Sequence, residues 1–575
     1  MKKFLSILIL VFMFAPLVLA QPYTIVIKGG VSLNEPNPPA NTWWITASGA
    51  GNLSGTSLAN AGAIGTFSFV PVNYRDTVYF CGNFNQAINP STLGSGLPGY
   101  PITLDSSCPG GTPAVFDGAN VVTGWTSVSS NVYSTPLASG SGPWVSGTGS
   151  YGTAFGGIVT EDDVALIAVP FITNIATTIP NMVSTTSTFS LGSWTYDNSN
   201  GILYVLTTDA SSPSGHTIEA SYGQNFSTLF NLSGKSNITI QNMTIKNAGD
   251  YGVDIPNGTN IIFANNAVYN IDNWGLIAAN EINMTTSSNA VHNVVWTAHS
   301  PSPSEAVGEG IRYDGGSGGS IFGNTVSYDP SAGIDLHGGV TGVKMYSNVI
   351  HDNIGMSTFY SSGIYLDNAQ GNFIYGNEIY NEMVGINLNG ENTNSSSSGN
   401  YVYNNLVYNW YYTGSYLGGS EGWVSSQNNF WYNNTFVVGP SQDGSGGQAI
   451  AIQNSVDDTF QNNIVYGNVY SYSAGGQTFA PGYFDYNQYY NTTFGGSYNS
   501  YSAWQTATQG ETHSANSSPS IGSVFVGSSI PPATNFELVG GSPALNVGTN
   551  LSFVFTTNYA GSSRPSSGAW NAGAY

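Results

Sequence analysis

Charge is what this sequence has least of: Asp, Glu, Lys and Arg together make up only 7% of 575 residues. Lys and Arg number 9 against 31 Asp and Glu, a formal net charge of −22. Nothing basic is left to displace counterions from a phosphate backbone or to pair with anionic lipid, so nucleic acid and membrane surfaces are excluded as partners. A strongly anionic ligand would be repelled as well. Cysteine is almost absent too, with only Cys81 and Cys108. Two cysteines do not make a zinc site; in an exported chain they read as a disulfide stapling the mouth of the fold, or else as free thiols.

Long apolar runs are missing after the first twenty residues. Lys2 and Lys3 precede an apolar stretch, Phe4 to Leu19, that ends in Val18-Leu19-Ala20. That order predicts a cleavable signal peptide over residues 1–20, a mature start near Gln21 and a secreted or cell-surface protein with no membrane insertion after cleavage.

Hydrophobic residues reach 41%, which excludes a disordered chain, and the scarcity of charge argues against exposed helices. A repeat fills the gap. An Asn, one residue, then usually an apolar residue recurs at Asn266, Asn324, Asn348, Asn377, Asn405, Asn434 and Asn463, with Asn242 as a first member, at several steps of 24 to 29 residues. A period of that size means one supersecondary unit per repeat, stacked on its neighbours. Short β-branched strands broken by Asn and Gly predict an all-β, right-handed parallel β-helix. On this reading residues 21–124 form an N-terminal cap and first coils, 125–225 an inserted β-rich subdomain, 226–495 the main solenoid, and 496–575 the last coils and cap.

Beside the Asn repeat runs a second column: Gly310-Ile-Arg-Tyr-Asp314, Gly333-Ile-Asp-Leu-His337, Gly363-Ile-Tyr-Leu-Asp367 and Gly385-Ile-Asn-Leu-Asn389. Strand side chains alternate, so the second and fourth positions point into the coil and the third and fifth face solvent. The outward strip then collects Arg312, Asp314, Asp335, His337, Tyr365, Asp367 and Asn389, with Glu309 and Glu391 at its borders. In a chain this poor in charge the gathering suggests either a site or a structural ion-pair ladder.

Glycoside hydrolysis needs one carboxylic acid to protonate the leaving oxygen and a second carboxylate as base or nucleophile. Asp367 with Glu391 is the preferred pair, Asp314 with Asp367 the wider one, and Asp335 a further candidate. Between neighbouring carboxylates, His337 should favour its charged form. Arg312, Tyr365, Glu309 and Asn389 are candidate substrate contacts, as are Trp410 and Trp423, whose flat rings suit sugar faces. Trp431 and Tyr360 are open to that reading or to stacking inside the solenoid. No cofactor is required; Asp457-Asp458 and Glu161-Asp-Asp163 suit calcium or merely solvated turns. His351 and Asp352 are read as structural.

Asp76-Thr-Val-Tyr-Phe80, Gly192-Ser-Trp-Thr-Tyr-Asp197 with Gly201-Ile-Leu-Tyr-Val205, Pro213-Ser-Gly-His-Thr-Ile-Glu219, Phe536-Glu-Leu538, Gly541-Ser-Pro-Ala544 and Arg564-Pro565 together resemble secreted right-handed β-helix proteins of the polysaccharide-active type. With an inserted β-rich subdomain the chain is similar to certain glycoside hydrolases, including β-xylosidase-type enzymes. Glu309-Gly-Ile followed by Leu336-His337-Gly338 more distantly resembles chondroitinase-B-like and alginate lyases, which carry a Lys and an Arg where this chain has Asp314 and His337. The resemblance implies a polysaccharide or surface glycan as partner. It leaves three expectations: a glycan hydrolase, a lyase or epimerase-like enzyme acting on uronates, and a non-catalytic adhesive or filament-forming protein.

Overall fold

The computed structural model describes residues 40–575 apart from 130, 138–156, 170–173, 190–191, 198, 222–227, 295–307, 355–360, 393, 420–422, 440–446, 472–478, 481, 509 and 528–532. The segment read as a signal peptide and Tyr360 lie outside the described residues.

Three long sheets of 14, 13 and 11 strands make up the described solenoid, and from Thr228 on each coil contributes one strand to a sheet before passing to the next. Neighbouring strands pair in parallel, for example Glu309–Asp314 with Ala332–His337 and Thr325–Ser327 with Val349–His351. This is a parallel β-helix, right-handed as parallel crossovers are. Its core is a column of inward aliphatic side chains, among them Ile311, Ile334, Ile364 and Ile386, all 0% exposed.

The asparagine repeat is a buried ladder. Each Nδ2 donates to the Oδ1 of the Asn one coil on, from Asn266 through Asn289, Asn324, Asn348, Asn377, Asn405, Asn434 and Asn463 to Asn487. The same Oδ1 also accepts a backbone N–H from the preceding coil, and each Nδ2 also reaches a backbone carbonyl, as Asn377 does with Met345. Amide donors and acceptors are thereby all used, as burial requires. Asn242 is not a member: it sits one residue out of register, and the backbone N–H of Met243 meets Asn266 instead. At the far end Asn487 donates to Glu511, which also accepts from Tyr489 and Trp504.

Continuity across the insert is direct. Ile102–Asp105 pairs with Ser236–Gln241 and Val115–Asp117 with Thr244–Lys246, so the chain leaves the solenoid after Asp117 and is back in it at Thr228–Asn231, the first strand of the 11-stranded sheet. The excursion forms small sheets of four and five strands, including Ser193–Asp197 and Ile202–Leu206. It also contains a helix, Ile175–Phe189, that the strand-rich reading did not anticipate. Ile175, Ile179 and Met182 fall on one helical face against Val132, Val169, Tyr204 and Leu206. Lys246 joins insert to solenoid, 2.6 Å from Asp163 and 3.1 Å from Asp117.

Cys81 and Cys108 form a disulfide near the first coils. At the other end only part of 496–575 closes the coil: helix Tyr501–Thr508 buries Trp504 against Phe484 and Phe494. The remaining tail turns back along the flank, where Phe536 covers Tyr408, Phe555 covers Tyr403, and Arg564 donates to Asn404 at 2.9 Å.

Candidate functional site

The 11-stranded sheet carries the Gly-Ile column, and its glycines have a packing cause. A Cβ on Gly310 would stand 2.4 Å from Asp329 Oδ2, and one on Gly333 would stand 2.6 Å from the Ile350 side chain. The corner side chains of the coil occupy the space where a Cβ would go.

Register is as the pattern predicts. Arg312, Asp335, Tyr365, Asn387 and Tyr416 are Cα partners on successive strands, Asp314 is opposite His337, and Asp367 is opposite Asn389. Because their chain neighbours Ile311, Tyr313, Ile334, Leu336, Ile364, Leu366, Ile386 and Leu388 are core residues, these columns project from the outer face.

Exposure is where the expectation fails. The strip is not open to solvent: Asp335 and Asp367 are 0% exposed and Glu309 and Asn389 are buried. Tyr365 and Arg312 are half-buried; only Asp314, at the N-terminal border, and Glu391, at the opposite one, present a sizeable carboxylate surface.

At the centre, His337 Nδ1 lies 3.2 Å from Asp367 Oδ2 and 3.6 Å from Asp335 Oδ2. Burial alone disfavours the imidazolium, but Asp335, and less strongly Asp367, outweigh it and push the His337 pKa up to about 9. Burial raises both aspartates above the ordinary carboxylate range, with His337 and Arg312 pulling the other way. Their hydrogen bonding differs: Asp367 Oδ1 accepts the Glu391 backbone N–H at 2.7 Å, whereas neither oxygen of Asp335 has a hydrogen-bond partner.

Arg312 is spoken for by three carboxylates. It holds Glu309 at 3.1 and 3.2 Å and Asp314 at 3.1 Å, and stands 3.6 Å from Asp335. Trp274, which sequence reading passed over, completes this corner: its Nε1 donates to Glu309 at 3.1 Å, and the Arg312 guanidinium lies over its ring at 5.5 Å. Its signal was present in Trp274-Gly275, the same position before a column glycine that Glu309 fills before Gly310. Burial raises the Glu309 carboxyl, opposed by Arg312. Tyr365 donates to Glu391, and burial with the Glu391 charge holds its phenol well above its usual range.

Two of the aromatic assignments need separating. Trp410 is 0% exposed in the solenoid core, its ring beneath Gly414, and cannot meet a substrate. Trp431 is likewise buried, stacked on Phe460 at 5.3 Å. Trp423 does border the strip, half-buried, with Nε1 donating to the Gly390 carbonyl at 3.0 Å. His351, 2.8 Å from Asp352, stacks on Tyr380 on a different sheet.

Of the acidic residues suited to calcium, Asp457 is exposed and the others are engaged by the chain itself. Asp458 accepts from Ser426, Ser455 and Asn429 at the end of a second Asn ladder. Asp163 meets Lys246; Glu161 and Asp162 face His216 Nδ1 at 3.1 and 2.9 Å, and Asp209 lies 3.4 Å from its Nε2. Among the described residues Glu161, Asp209 and His216 are the one group whose ligand atoms converge closely enough for a metal, and both imidazole nitrogens already face carboxylates.

A family model described as "Right handed beta helix region" matches residues 193–350 and 304–439. No curated protein matches the chain. Among solved structures, XylC in complex with xylose is 13% identical, covering 93% of this chain and 98% of that one, with a TM-score of 0.58. Pectate lyase Pel9A is 15% identical over 93% and 96% with a TM-score of 0.43, and a glycoside hydrolase 10% identical over 73% and 96% with a TM-score of 0.48. At 13% identity the likeness to XylC speaks to architecture alone, and there it agrees with the strand order and the matching family model: the chain is a right-handed parallel β-helix protein.

Proposed function

We propose that this chain is a secreted carbohydrate-active enzyme that hydrolyses glycosidic bonds with Asp335 and Asp367. The observation that carries the reading is Asp335 itself: a wholly buried carboxyl with no hydrogen-bond partner, beside a second buried carboxyl and a shared imidazole. Such a group is costly to keep, and proteins keep it where chemistry uses it. XylC, the fold neighbour, binds a sugar, which agrees with the reading without carrying it.

Hydrogen bonding divides the labour. Asp367, with a backbone N–H on one oxygen and His337 at the other, is the group stabilised as an anion. Asp335, wholly buried, without a backbone N–H on either oxygen and farther from the imidazole at 3.6 Å, is the group assigned the proton. Asp335 donates that proton to the leaving oxygen as the glycosidic C–O bond breaks, and Asp367 forms a covalent ester with the anomeric carbon. Water then cleaves the ester, with Asp335 taking a proton back. The imidazole lies against both carboxyls and is their more exposed neighbour, with 22% of its side chain accessible, so a glycan reaches them by turning it aside. This pair replaces Asp367 with Glu391, because the Glu391 side chain is exposed and held by Tyr365.

Lyase chemistry finds less here. It needs a free cation for the uronate and a base for the proton, yet Arg312 is engaged by carboxylates, His337 is held protonated and the Tyr365 phenol is raised. The test is a panel of neutral and uronic-acid glycans. New reducing ends without an unsaturated-uronate ultraviolet signal support hydrolysis; that signal would favour elimination, and no turnover on any glycan would remove the enzymatic reading.

A further inference from the structure

Beyond the carboxyl pair the outer column changes character. Asp335 and Tyr365 are followed, one strand at a time, by Asn387 and Tyr416, and charge gives way to amide and phenol. Strands are spaced at roughly 4.8 Å, close to the length that one sugar unit adds to an extended chain.

Asn387 is the informative member. It is only 8% exposed, its Oδ1 has no hydrogen-bond partner, and its Nδ2 reaches Ser362 Oγ only at 3.5 Å. It stands between two half-buried tyrosines in the same column, Tyr365 and Tyr416. An acceptor buried and unpaired in this way suits a hydroxyl donor, which reaches it when the flanking side chains part. Tyr416 donates to Gln453, which fixes its phenol beside Asn387, and Trp423 is held at the Gly390 carbonyl next to Glu391.

The opposite direction offers no equivalent. Toward the N-terminal coils, Trp274 has one ring face against Tyr251 at 4.9 Å and the other against Arg312 at 5.5 Å, so neither is available to a sugar. Charge settles the class of ligand. Among the described residues Arg312 is the only Lys or Arg on this sheet, and its guanidinium is taken by Glu309 and Asp314. A uronate would meet Asp314, Asp335, Asp367 and Glu391, and the other cation of this face, the His337 imidazolium, is already held between Asp335 and Asp367.

Building on the proposed hydrolase reading, we infer that the glycan extends from the carboxyl pair toward the C-terminal coils, across a subsite made by Asn387 and Tyr416, and that the sugar bound there is neutral. An amide oxygen and a fixed phenol recognise hydroxyls by hydrogen bonding and give a carboxylate nothing to pair with.

The test is titration calorimetry on full-length Asp367→Asn, which removes turnover but keeps the groove, with xylohexaose, cellohexaose and hexagalacturonate as probes. A neutral hexasaccharide should bind, and Asn387→Ala or Tyr416→Phe added to that background should each weaken its Kd by about tenfold. Hexagalacturonate should not bind. In the turnover-competent protein the same two substitutions should raise KM about tenfold and leave kcat within about threefold, the pattern of a binding subsite. Tyr416→Phe keeps the ring and carries the test if Asn387→Ala does not fold. The inference is overturned if hexagalacturonate binds as tightly as the neutral probes, if neither substitution moves the Kd, or if none of the three sugars binds. Neutral binding that responds to both substitutions, in a protein that cleaves nothing, would instead uphold the subsite and sink the hydrolase reading.

Discussion

His337 Nδ1 lies between two aspartates of the same outer face, 3.2 Å from Asp367 and 3.6 Å from Asp335. A nitrogen so placed is held protonated, with a pKa raised to about 9 against an ordinary 6.5. A group raised on folding contributes stability that is full below the unfolded pKa and disappears as pH climbs through the folded one. Wild type should therefore exceed His337→Asn in urea-unfolding stability at pH 6, by at most about 3 kcal/mol, and the gap should close between pH 7 and 10. A difference that grows with pH would show the imidazole to be neutral in the folded protein.

The Asn ladder makes a stability prediction independent of function. Asn377 Oδ1 accepts both the backbone N–H and the Nδ2 of Asn348, at 3.1 and 2.9 Å. Asn377→Leu leaves those two donors without that acceptor and takes the Nδ2 donor away from Asn405 Oδ1 and from the Met345 carbonyl, while the backbone N–H of residue 377 still reaches Asn405. Stranded buried groups cost about 1–3 kcal/mol each, so guanidinium unfolding should register a loss of at least about 3 kcal/mol. Leu at Asn242, outside the ladder, should cost less than half of that.

Gly333 is required by space. A Cβ there would meet Ile350 at 2.6 Å and the Gly363 carbonyl at 2.9 Å, and both belong to the packed coil. Gly333→Ala should destabilise by about 1–3 kcal/mol and, because Asp335 and His337 ride on the same strand, should also lower turnover. Unchanged melting would mean that the coil has slack at this corner.

These cases also mark how far the sequence could be read. Strand register was legible because Ile and Leu at the second and fourth positions have only one place to go, and Arg312, Asp335, Asp367 and Asn389 followed from it. Burial was not legible: alternation says which way a side chain points and is silent on what lies over it, so Asp335 and Asp367 were read as solvent-facing. Trp410 shows the same limit, since a large ring beside a column glycine fits the hollow under Gly414 as readily as it fits a sugar. The ladder at Asn289 and Asn487 was present in the pattern Asn, one residue, apolar or aromatic, but the 35-residue step from Asn289 to Asn324 hid the first, and Tyr489 in the apolar position hid the second. The insert helix escaped because Ile175, Ile179 and Met182 are its few periodic residues in a Thr-rich stretch.

Adjacent strands carrying the two carboxyls predict stereochemistry. Asp335 and Asp367 are diagonal neighbours on those strands, and each has an oxygen within 3.6 and 3.2 Å of His337 Nδ1, an arrangement that admits the separation of about 5–5.5 Å that goes with a covalent intermediate. Proton NMR of the first-formed sugar should show the anomeric configuration of the substrate retained. Inverted product would require a wider pair, with Asp314 and Asp367 as the next candidates.

The most direct measurement is turnover of Asp335→Asn and Asp367→Asn on whichever glycan the wild type cleaves, alongside their melting temperatures. Both variants should fall by at least about 100-fold in kcat while melting within a few degrees of the wild type. Turnover within a few-fold of wild type in either one would contradict the assignment of Asp335 and Asp367 as the catalytic pair.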